Sequence, residues 1–330
     1  MKNLFERKKV LITGGTGSLG RSLIKRLKSY GCLPIVYSRD EGKQALSFGR
    51  DSGVETVIGD IRDFDKFNVT LKRHKPDYII HAAALKRIDD MEFYPDECIK
   101  TNISGSENVA RAALQNDIEK CILVSTDKAC QPVNVYGSSK FIAERIFTNY
   151  DYNSNSTIFS SVRYGNVIAS RGSFIPLWLD KIESGEVLPI TSKEMTRFLF
   201  TLEEAVETVL LSLVNSLGGE VFIPQLKSFK ITTVLDAVSS IVGKEAETEI
   251  IGLRPGEKLH EDMLAKTELD FTHCVNNSNE PISLLRVRPQ YTRKKYSDLA
   301  KYTGLEFNSS LHLSENVELL KGLILKGLLE

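Results

Sequence analysis

Between Ser125 and Lys140 the chain reads STDKACQPVNVYGSSK, which gathers four side chains able to move protons into one short stretch. Tyr136 and Lys140 stand four residues apart. On a helix they would share one face, where the ammonium can lower the tyrosine pKa and hold a ribose hydroxyl of a nicotinamide cofactor. Such a pair is a base suited to hydride transfer. Thr126, Asp127 and Lys128 stand together at the end of an apolar run and add a second acid and a second base. Simple alcohol oxidation has no task for them, so two proton-transfer devices beside one cofactor point to oxidation coupled to elimination.

These side chains need a scaffold that brings a strand end against a helix start. From residue 9 to about 161 short β-branched runs alternate with helical patterns, the signature of a parallel sheet flanked by helices. Strands are predicted at 10–13, 34–38, 55–59, 78–83, 120–126 and 158–164, with nearly continuous apolar runs that suit burial on both faces. After residue 165 the rhythm weakens into helices at 176–184, 202–215 and 232–242 separated by short strands, as in a substrate-binding cap. The polar segment 272–280 reads as a surface loop, and an amphipathic pattern over 314–329 as a docked terminal helix.

The first strand runs directly into TGGTGSLG, which places Gly14, Gly17 and Gly20 at the bend and first turn of a helix. Glycine there permits a tight turn and lets backbone amides approach a pyrophosphate, whose charge the helix N-terminus favours. Thr16, Ser18 and Leu19 complete this cofactor loop. At the end of the second strand, SRDEGK brings Ser38, Arg39 and Lys43 to the adenosine ribose; the two cations suit the extra phosphate of NADP, while Asp40 keeps NAD open. Asp60 and Ile61 end the third strand near the adenine, and Ala82, Ala83 and Ala84 end the fourth with small residues under the cofactor. The expected fold is α/β. A Rossmann-type doubly wound parallel sheet occupies residues 1–165, with later segments returning to it, and a smaller mixed α/β cap and C-terminal helix occupy 166–330.

Composition bounds what else the chain can be. With 330 residues, 42% of them hydrophobic, it can bury a sizeable core, and its 43 Lys plus Arg balance 43 Asp plus Glu. No global field favours nucleic acid or an anionic membrane, so any phosphate binding must be local. The five cysteines, Cys32, Cys98, Cys121, Cys130 and Cys274, lack Cys-x-x-Cys spacing, which points to reduced thiols rather than a disulfide framework or a zinc site. With no signal-like or spanning apolar run, the expectation is a soluble cytoplasmic protein without membrane insertion and without a metal.

The glycine loop, SRDE, GDIRD, HAAALK, STDKA, the Tyr and Lys pair, RYGNVIASRGS, MTRF and RPGEKLHE occur here in one order. In that order they resemble the soluble bacterial nucleotide-sugar 4,6-dehydratases acting on UDP-N-acetylglucosamine, extended short-chain dehydrogenases whose products feed pseudaminic-type and legionaminic-type surface sugars. The resemblance implies a three-stage cycle. Tyr136, lowered in pKa by Lys140 and the cationic nicotinamide, takes the proton of the carbon 4 hydroxyl as hydride leaves for NADP, and Thr126 holds the carbon 4 oxygen. Lys128 then removes the carbon 5 hydrogen while Asp127 protonates the departing carbon 6 hydroxyl, and hydride returns to carbon 6. It implies further that Arg197 and Arg254 contact the diphosphate of a nucleotide-diphospho-N-acetylhexosamine, that Asn166 contacts it or the sugar, that Glu257 takes a ribose hydroxyl, and that Lys86 faces the sugar. A homo-oligomer paired through helices at about 95–115 and 136–150 is also implied. His81, followed by three alanines, reads as a packed strand-end residue.

The acidic stretch RIDDMEFYP after Lys86 and the loop VNVY leave a GDP-linked substrate open, and Lys128 does not decide retention against inversion at carbon 5. Two other readings stand beside the dehydratase. A nucleotide-sugar 4-epimerase would use Tyr136 and Lys140 and leave Asp127 and Lys128 idle; a non-enzymatic NADP-binding scaffold would need neither pair.

Overall fold

A computed structural model describes residues 1–49, 52–168, 173–275, 282–292, 294, 296 and 299–329. The strands, in chain order, are β1 (Lys9–Thr13), β2 (Leu33–Ser38), β3 (Glu55–Ile58), β4 (Tyr78–His81), β5 (Lys120–Val124) and β6 (Ile158–Val162). There follow β7 (Asn166–Val167), β8 (Leu188–Ile190), β9 (Thr196–Phe200), β10 (Val221–Pro224), β11 (Ser228–Lys230) and β12 (Thr248–Ile250). The last are β13 (Asp262–Leu264), β14 (Thr272–Val275), β15 (Leu284–Val287) and β16 (Phe307–Asn308).

Nine strands form one sheet in the order β14-β15-β10-β6-β5-β4-β1-β2-β3. It is parallel from β3 to β10, and β15 and β14 are added antiparallel at the far edge. The order 3-2-1-4-5-6 is the doubly wound Rossmann arrangement, which turns back between β1 and β4 and opens a crevice at the strands' carboxyl ends there. Alternation along each strand divides the core between the two faces. Val10 and Ile12 pack with Leu23, Ile24 and Leu27 of the helix Ser18–Ser29 and with Val206, Val209 and Leu210 of the helix Leu202–Asn215. Leu11, Ile79 and Leu123 pack on the other face with Phe67, Val109, Ala113 and Phe147 from the helices Phe64–His74, Gly105–Gln115 and Val135–Asn153. A separate core joins the helices Phe174–Ser184, Ile231–Val242 and Val317–Leu329 around Trp178, Val234 and Ile324.

Several strands end earlier than their apolar runs. Past Val124 the chain keeps only alternate ladder bonds, Ser125 N donating to Val162 O at 2.7 Å and Asp127 N to Tyr164 O at 3.0 Å. The loop that carries Asp127 is thus pinned to the sheet while its side chains leave it. The predicted loop at 272–280 is corrected over its first part: Thr272–Val275 form β14, with Thr272 fully buried. A polar edge strand exposes one side to water and so reads as a loop; residues 276–280 lie outside the described residues. The terminal helix begins at Val317 rather than 314, because Asn316 Oδ1 accepts the Leu319 amide at 2.9 Å and caps it. Among the described residues no helix is long and apolar enough to cross a membrane.

Candidate active site

The helix Val135–Asn153 begins on Asn134, whose Oδ1 accepts from Gly137 N at 2.6 Å while its Nδ2 donates to Gly256 O at 2.7 Å. Glu92, in the acidic stretch after Lys86, accepts the Val135 amide at 2.7 Å. The helix start is therefore tied to two other segments. It lies hard against the turn Asp127–Ala129: a Cβ on Gly137 would stand 2.3 Å from Lys128 O, so only glycine fits.

This contact brings the two predicted devices side by side. Tyr136 faces Thr126, the Thr126 hydroxyl donates to Asp127 Oδ1 at 2.8 Å, and Lys128 Nζ donates to the same oxygen at 3.1 Å. On its other side Lys128 lies 3.2 Å from Glu261 Oε1, and Arg197 Nε is 3.8 Å from that atom. A surface ion pair is excluded: the Asp127 and Glu261 side chains are 1% and 2% exposed. Asp127 Oδ2 and Glu261 Oε2 are both buried without a hydrogen-bond partner among the described residues.

Burial and the neighbouring Glu261 push the Asp127 carboxyl up, against the pull of Lys128, which suits an acid. Burial pulls the Lys128 ammonium down, but Asp127 and Glu261 outweigh it and the net shift is upward. Tyr136 corrects an expectation. Burial raises it to about 12, and the cation opposing that rise is Lys128, with Thr126 assisting, not Lys140. Lys140 does lie one helical turn along, but it is itself depressed to about 8 by burial, against the charge of Glu144 one turn further on. His81 is the packed strand-end residue expected: fully buried, 2.7 Å from Thr13 Oγ1 and 3.0 Å from Ser106 Oγ, and brought down to about 3 by burial and then by Lys140.

At the cofactor loop Gly14 adopts φ +71°, and a Cβ there would meet the Ala83 backbone at 2.9 Å. A Cβ on Gly20 would stand 2.5 Å from Gly15 Cα, so helix and turn touch through bare backbone. The helix Ser18–Ser29 starts on Gly17 with no side-chain cap, which leaves its first amides directed at the crevice. This cradle, with Thr16, Ser18 and Leu19 in it and Ala82, Ala83 and Ala84 half-buried beyond β4, fits a dinucleotide pyrophosphate. Ser38 ends β2; Arg39 lies 3.5 Å from Asp60 Oδ2 and Lys43 Nζ 2.8 Å from Asp40 Oδ2. Asp60 is also held by Arg62 at 2.7 Å, and Ile61 is 5% exposed, packed on Gly105.

The residues assigned to substrate by resemblance are scattered in exposure. Lys86 is exposed just beyond β4, and Arg254 is exposed with its guanidinium 3.8 Å from Asp89. Glu257 accepts from Thr191 Oγ1 at 3.1 Å. Asn166, in β7, has a buried Oδ1 without a partner among the described residues, free to meet a ligand. Arg197 is buried and donates to Thr196 O at 2.8 Å, turned toward Glu261 rather than to the surface. Residues 169–172 of RYGNVIASRGS lie outside the described residues.

Three contributors escaped the sequence reading. Glu261 closes RPGEKLHE, and only its place at the end of that motif hinted at it. Asn102, fully buried in the π-helical turn Ile99–Ser104, clamps Leu85 by accepting its N–H at 2.8 Å and donating to its carbonyl at 3.0 Å; this fixes the loop after β4. Arg163, at the end of the predicted sixth strand, is buried between Glu144 at 2.9 Å and Glu268 at 2.8 Å, and donates to Met263 O at 3.1 Å. Glu144 stands four residues after Lys140, a spacing that could have revealed it.

Among known proteins, a family model described as polysaccharide biosynthesis protein matches residues 10–279. A UDP-N-acetylglucosamine 4,6-dehydratase (inverting) of Campylobacter jejuni subsp. jejuni serotype O:23/36 is 42% identical over 281 residues, 83% of this chain and 82% of the relative. A UDP-glucose 4-epimerase of Rickettsia conorii is 38% identical over 278 residues, 81% of this chain and 80% of the relative. The X-ray structure of Pen from Bacillus thuringiensis superposes with TM-score 0.88 at 32% identity, covering 98% of both chains.

Proposed function

The chain belongs to the polysaccharide biosynthesis protein family, and from that membership we propose that it is an NADP-dependent 4,6-dehydratase of UDP-N-acetylglucosamine. One observation carries the reading beyond the family: a buried Asp127 and a half-buried Lys128, joined to each other by a hydrogen bond, stand against Tyr136, where an oxidoreductase or epimerase acting at carbon 4 alone would leave them without a task.

Gly14, Gly17, Gly20 and the first amides of the helix Ser18–Ser29 would hold the cofactor pyrophosphate, with Tyr136 and Lys140 at its ribose. Bound there, a nicotinamide dinucleotide supplies hydride chemistry, accepting hydride from carbon 4 and returning it at carbon 6. Tyr136 removes the proton of the carbon 4 hydroxyl and Thr126 holds that oxygen. The resulting ketone acidifies carbon 5. Lys128 takes the carbon 5 proton as its amine, Asp127 gives up its carboxyl proton to the carbon 6 hydroxyl, the carbon–oxygen bond breaks, and water leaves. Asp127 can be reloaded with the proton taken at carbon 4, through Thr126, which lies between it and Tyr136; as hydride adds at carbon 6, carbon 5 takes a proton in place of the one Lys128 removed, so the cycle ends with no net proton consumed and Lys128 again an amine.

Incubation with UDP-N-acetylglucosamine in heavy water, followed by proton NMR, tests this reading. A 6-deoxy-4-keto product supports it. A 4-epimer would favour the second reading, for which the Rickettsia conorii relative speaks, and no turnover with either UDP- or GDP-linked sugar would sink both.

NADP is proposed over NAD because Arg39 and Lys43 border the ribose end of the crevice, each beside a carboxylate that a 2'-phosphate can displace. Arg39→Ala should lower NADP affinity about tenfold while NAD affinity changes little, since one charge-assisted hydrogen bond is worth about 1.5–3 kcal/mol at most. Titration by fluorescence quenching checks it; an unchanged ratio would reject the assignment.

A homo-oligomer is proposed from the apolar side chains left exposed around the helix Val135–Asn153: Phe93 at 82%, Ile99 at 50%, Phe141 at 38% and Ile142 at 41%. Light scattering at micromolar concentration should give a multiple of the subunit mass, falling toward one subunit in Phe141→Glu. A single-subunit mass for the unaltered chain would refute it.

A further inference from the structure

Lys128 has to be an amine when it acts as base, yet its Nζ sits between two carboxylates, Asp127 Oδ1 at 3.1 Å and Glu261 Oε1 at 3.2 Å. Asp127 commits its proton to the leaving hydroxyl in the proposed elimination. The other carboxylate is held in place from two sides. Glu261 N donates to Ser309 Oγ at 2.8 Å, and Ser309 N returns a bond to Glu261 O at 2.8 Å. Ser309 is fully buried and follows β16, which pairs with β13 immediately after Glu261. Two distant segments thus cooperate to place one carboxylate beside Lys128. They place it at a cost, because Glu261 Oε2 is buried and unpartnered among the described residues. A buried acceptor left unpaired is costly, and a purely structural bridge would not retain it without another use.

We infer that Glu261 is a positioning residue for the elimination: it holds the Lys128 ammonium against Asp127 and sets the pH at which that lysine gives up its proton, and so the pH at which carbon 5 is deprotonated. The inference rests on the dehydratase reading for its role in catalysis, but the electrostatic part stands on geometry alone. Among the described residues, the charged and titratable groups facing the cluster include Asp127 and Tyr136, Tyr164 beyond β6, Arg197 from β9, and Lys258 from the segment leading into β13. Burial opposes the Glu261 anion, while Lys128 first, then Arg197 and Lys258, favour it; the balance keeps Glu261 below the usual glutamate value, so it faces Lys128 as a negative charge that the lysine in turn helps to hold. Removing that charge destabilises the ammonium. The sign is therefore downward: with Glu261 neutralised, Lys128 becomes an amine at lower pH.

Glu261→Gln and Glu261→Asp test this with two readouts. Selective 13Cε-lysine labelling follows the Lys128 titration directly by NMR, its signal assigned by its loss in Lys128→Ala, and needs no substrate. Loss of an opposite charge at this range should lower the Lys128 midpoint by about 1–3 units in Glu261→Gln, with Glu261→Asp between it and the unaltered chain. The ascending limb of product formation against pH should move down by the same amount, with KM for the nucleotide sugar within about threefold. An unmoved Lys128 midpoint overturns the inference, as does a moved midpoint with an unmoved limb. A large rise in KM without either shift would make Glu261 a substrate contact and also overturn it. If Glu261→Gln does not fold, Glu261→Asp alone must show the smaller downward shift. Failure of the unaltered chain to make any product would count against the dehydratase reading, while the NMR midpoint would still decide the electrostatic claim.

Discussion

Mixed with substrate, a Lys128→Ala variant should reduce its cofactor once and then stall. Tyr136, Lys140 and the glycine loop all remain, but Tyr136 loses the cation that opposes its burial, so oxidation at carbon 4 proceeds more slowly, whereas removal of the carbon 5 proton loses its base altogether. General-base losses run to about a hundredfold to ten-thousandfold, enough for reduced-cofactor absorbance to accumulate together with a 4-keto sugar. Tyr136→Phe should block even that first reduction. The two results differ in kind, and stopped-flow absorbance reads both. Because Lys128 separates the Asp127 and Glu261 carboxylates, its loss will drive one of them to take up a proton, so circular dichroism and cofactor binding must accompany the kinetics. Equal and complete loss of cofactor reduction in both folded variants would mean that Lys128 serves the first step through its charge on Tyr136.

Arg163→Met should destabilise the fold more than loss of any catalytic side chain. The guanidinium is 1% exposed and neutralises Glu144, which is fully buried, and Glu268. Without it two carboxylates remain in the interior, and breaking a buried ion pair from one side costs about 3–5 kcal/mol. Denaturant titration should show the midpoint falling with an unchanged slope. Adding Glu144→Gln should recover part of the loss, since one orphaned charge is then gone, although Ser125 Oγ, which donates to Glu144 Oε1 at 2.6 Å, keeps a partner in the amide oxygen. A loss under about 1 kcal/mol in Arg163→Met would show that water reaches the cluster and that the triad does not tie β6, the Tyr136 helix and the 263–268 segment together.

What could be read from the sequence was whatever is local. The Tyr136 and Lys140 spacing, the glycine turn and the six apolar strand runs each depend on neighbours within a few residues, and the structure forms them where the pattern places them. The strand ends were overrun because the apolar runs continue past the last paired residue into the loops that carry Ala83 and Asp127. The environment of those side chains was not legible, because it is assembled from afar. Glu261 reaches Lys128 from far along the chain, and whether Tyr136 feels Lys128 or Lys140 depends on how tightly a turn and a helix approach. No periodicity encodes that distance. The acidic stretch after Lys86, read as a departure, holds Glu92, which caps the Val135 amide; its role appears only once the helix start is seen beside it.

The approach of that turn and helix at Gly137 also bears on how such a site can change over time. Since no side chain fits between Gly137 and the Lys128 carbonyl, the distance between the hydride-side and elimination-side groups cannot be adjusted by small steps. If Asp127, Lys128 and Glu261 have the roles proposed, a change of reaction on this backbone is expected to come from exchanging their identities in place. On the proposed roles, a designer seeking to convert elimination into simple epimerisation would begin with those three positions and leave the loop as it is.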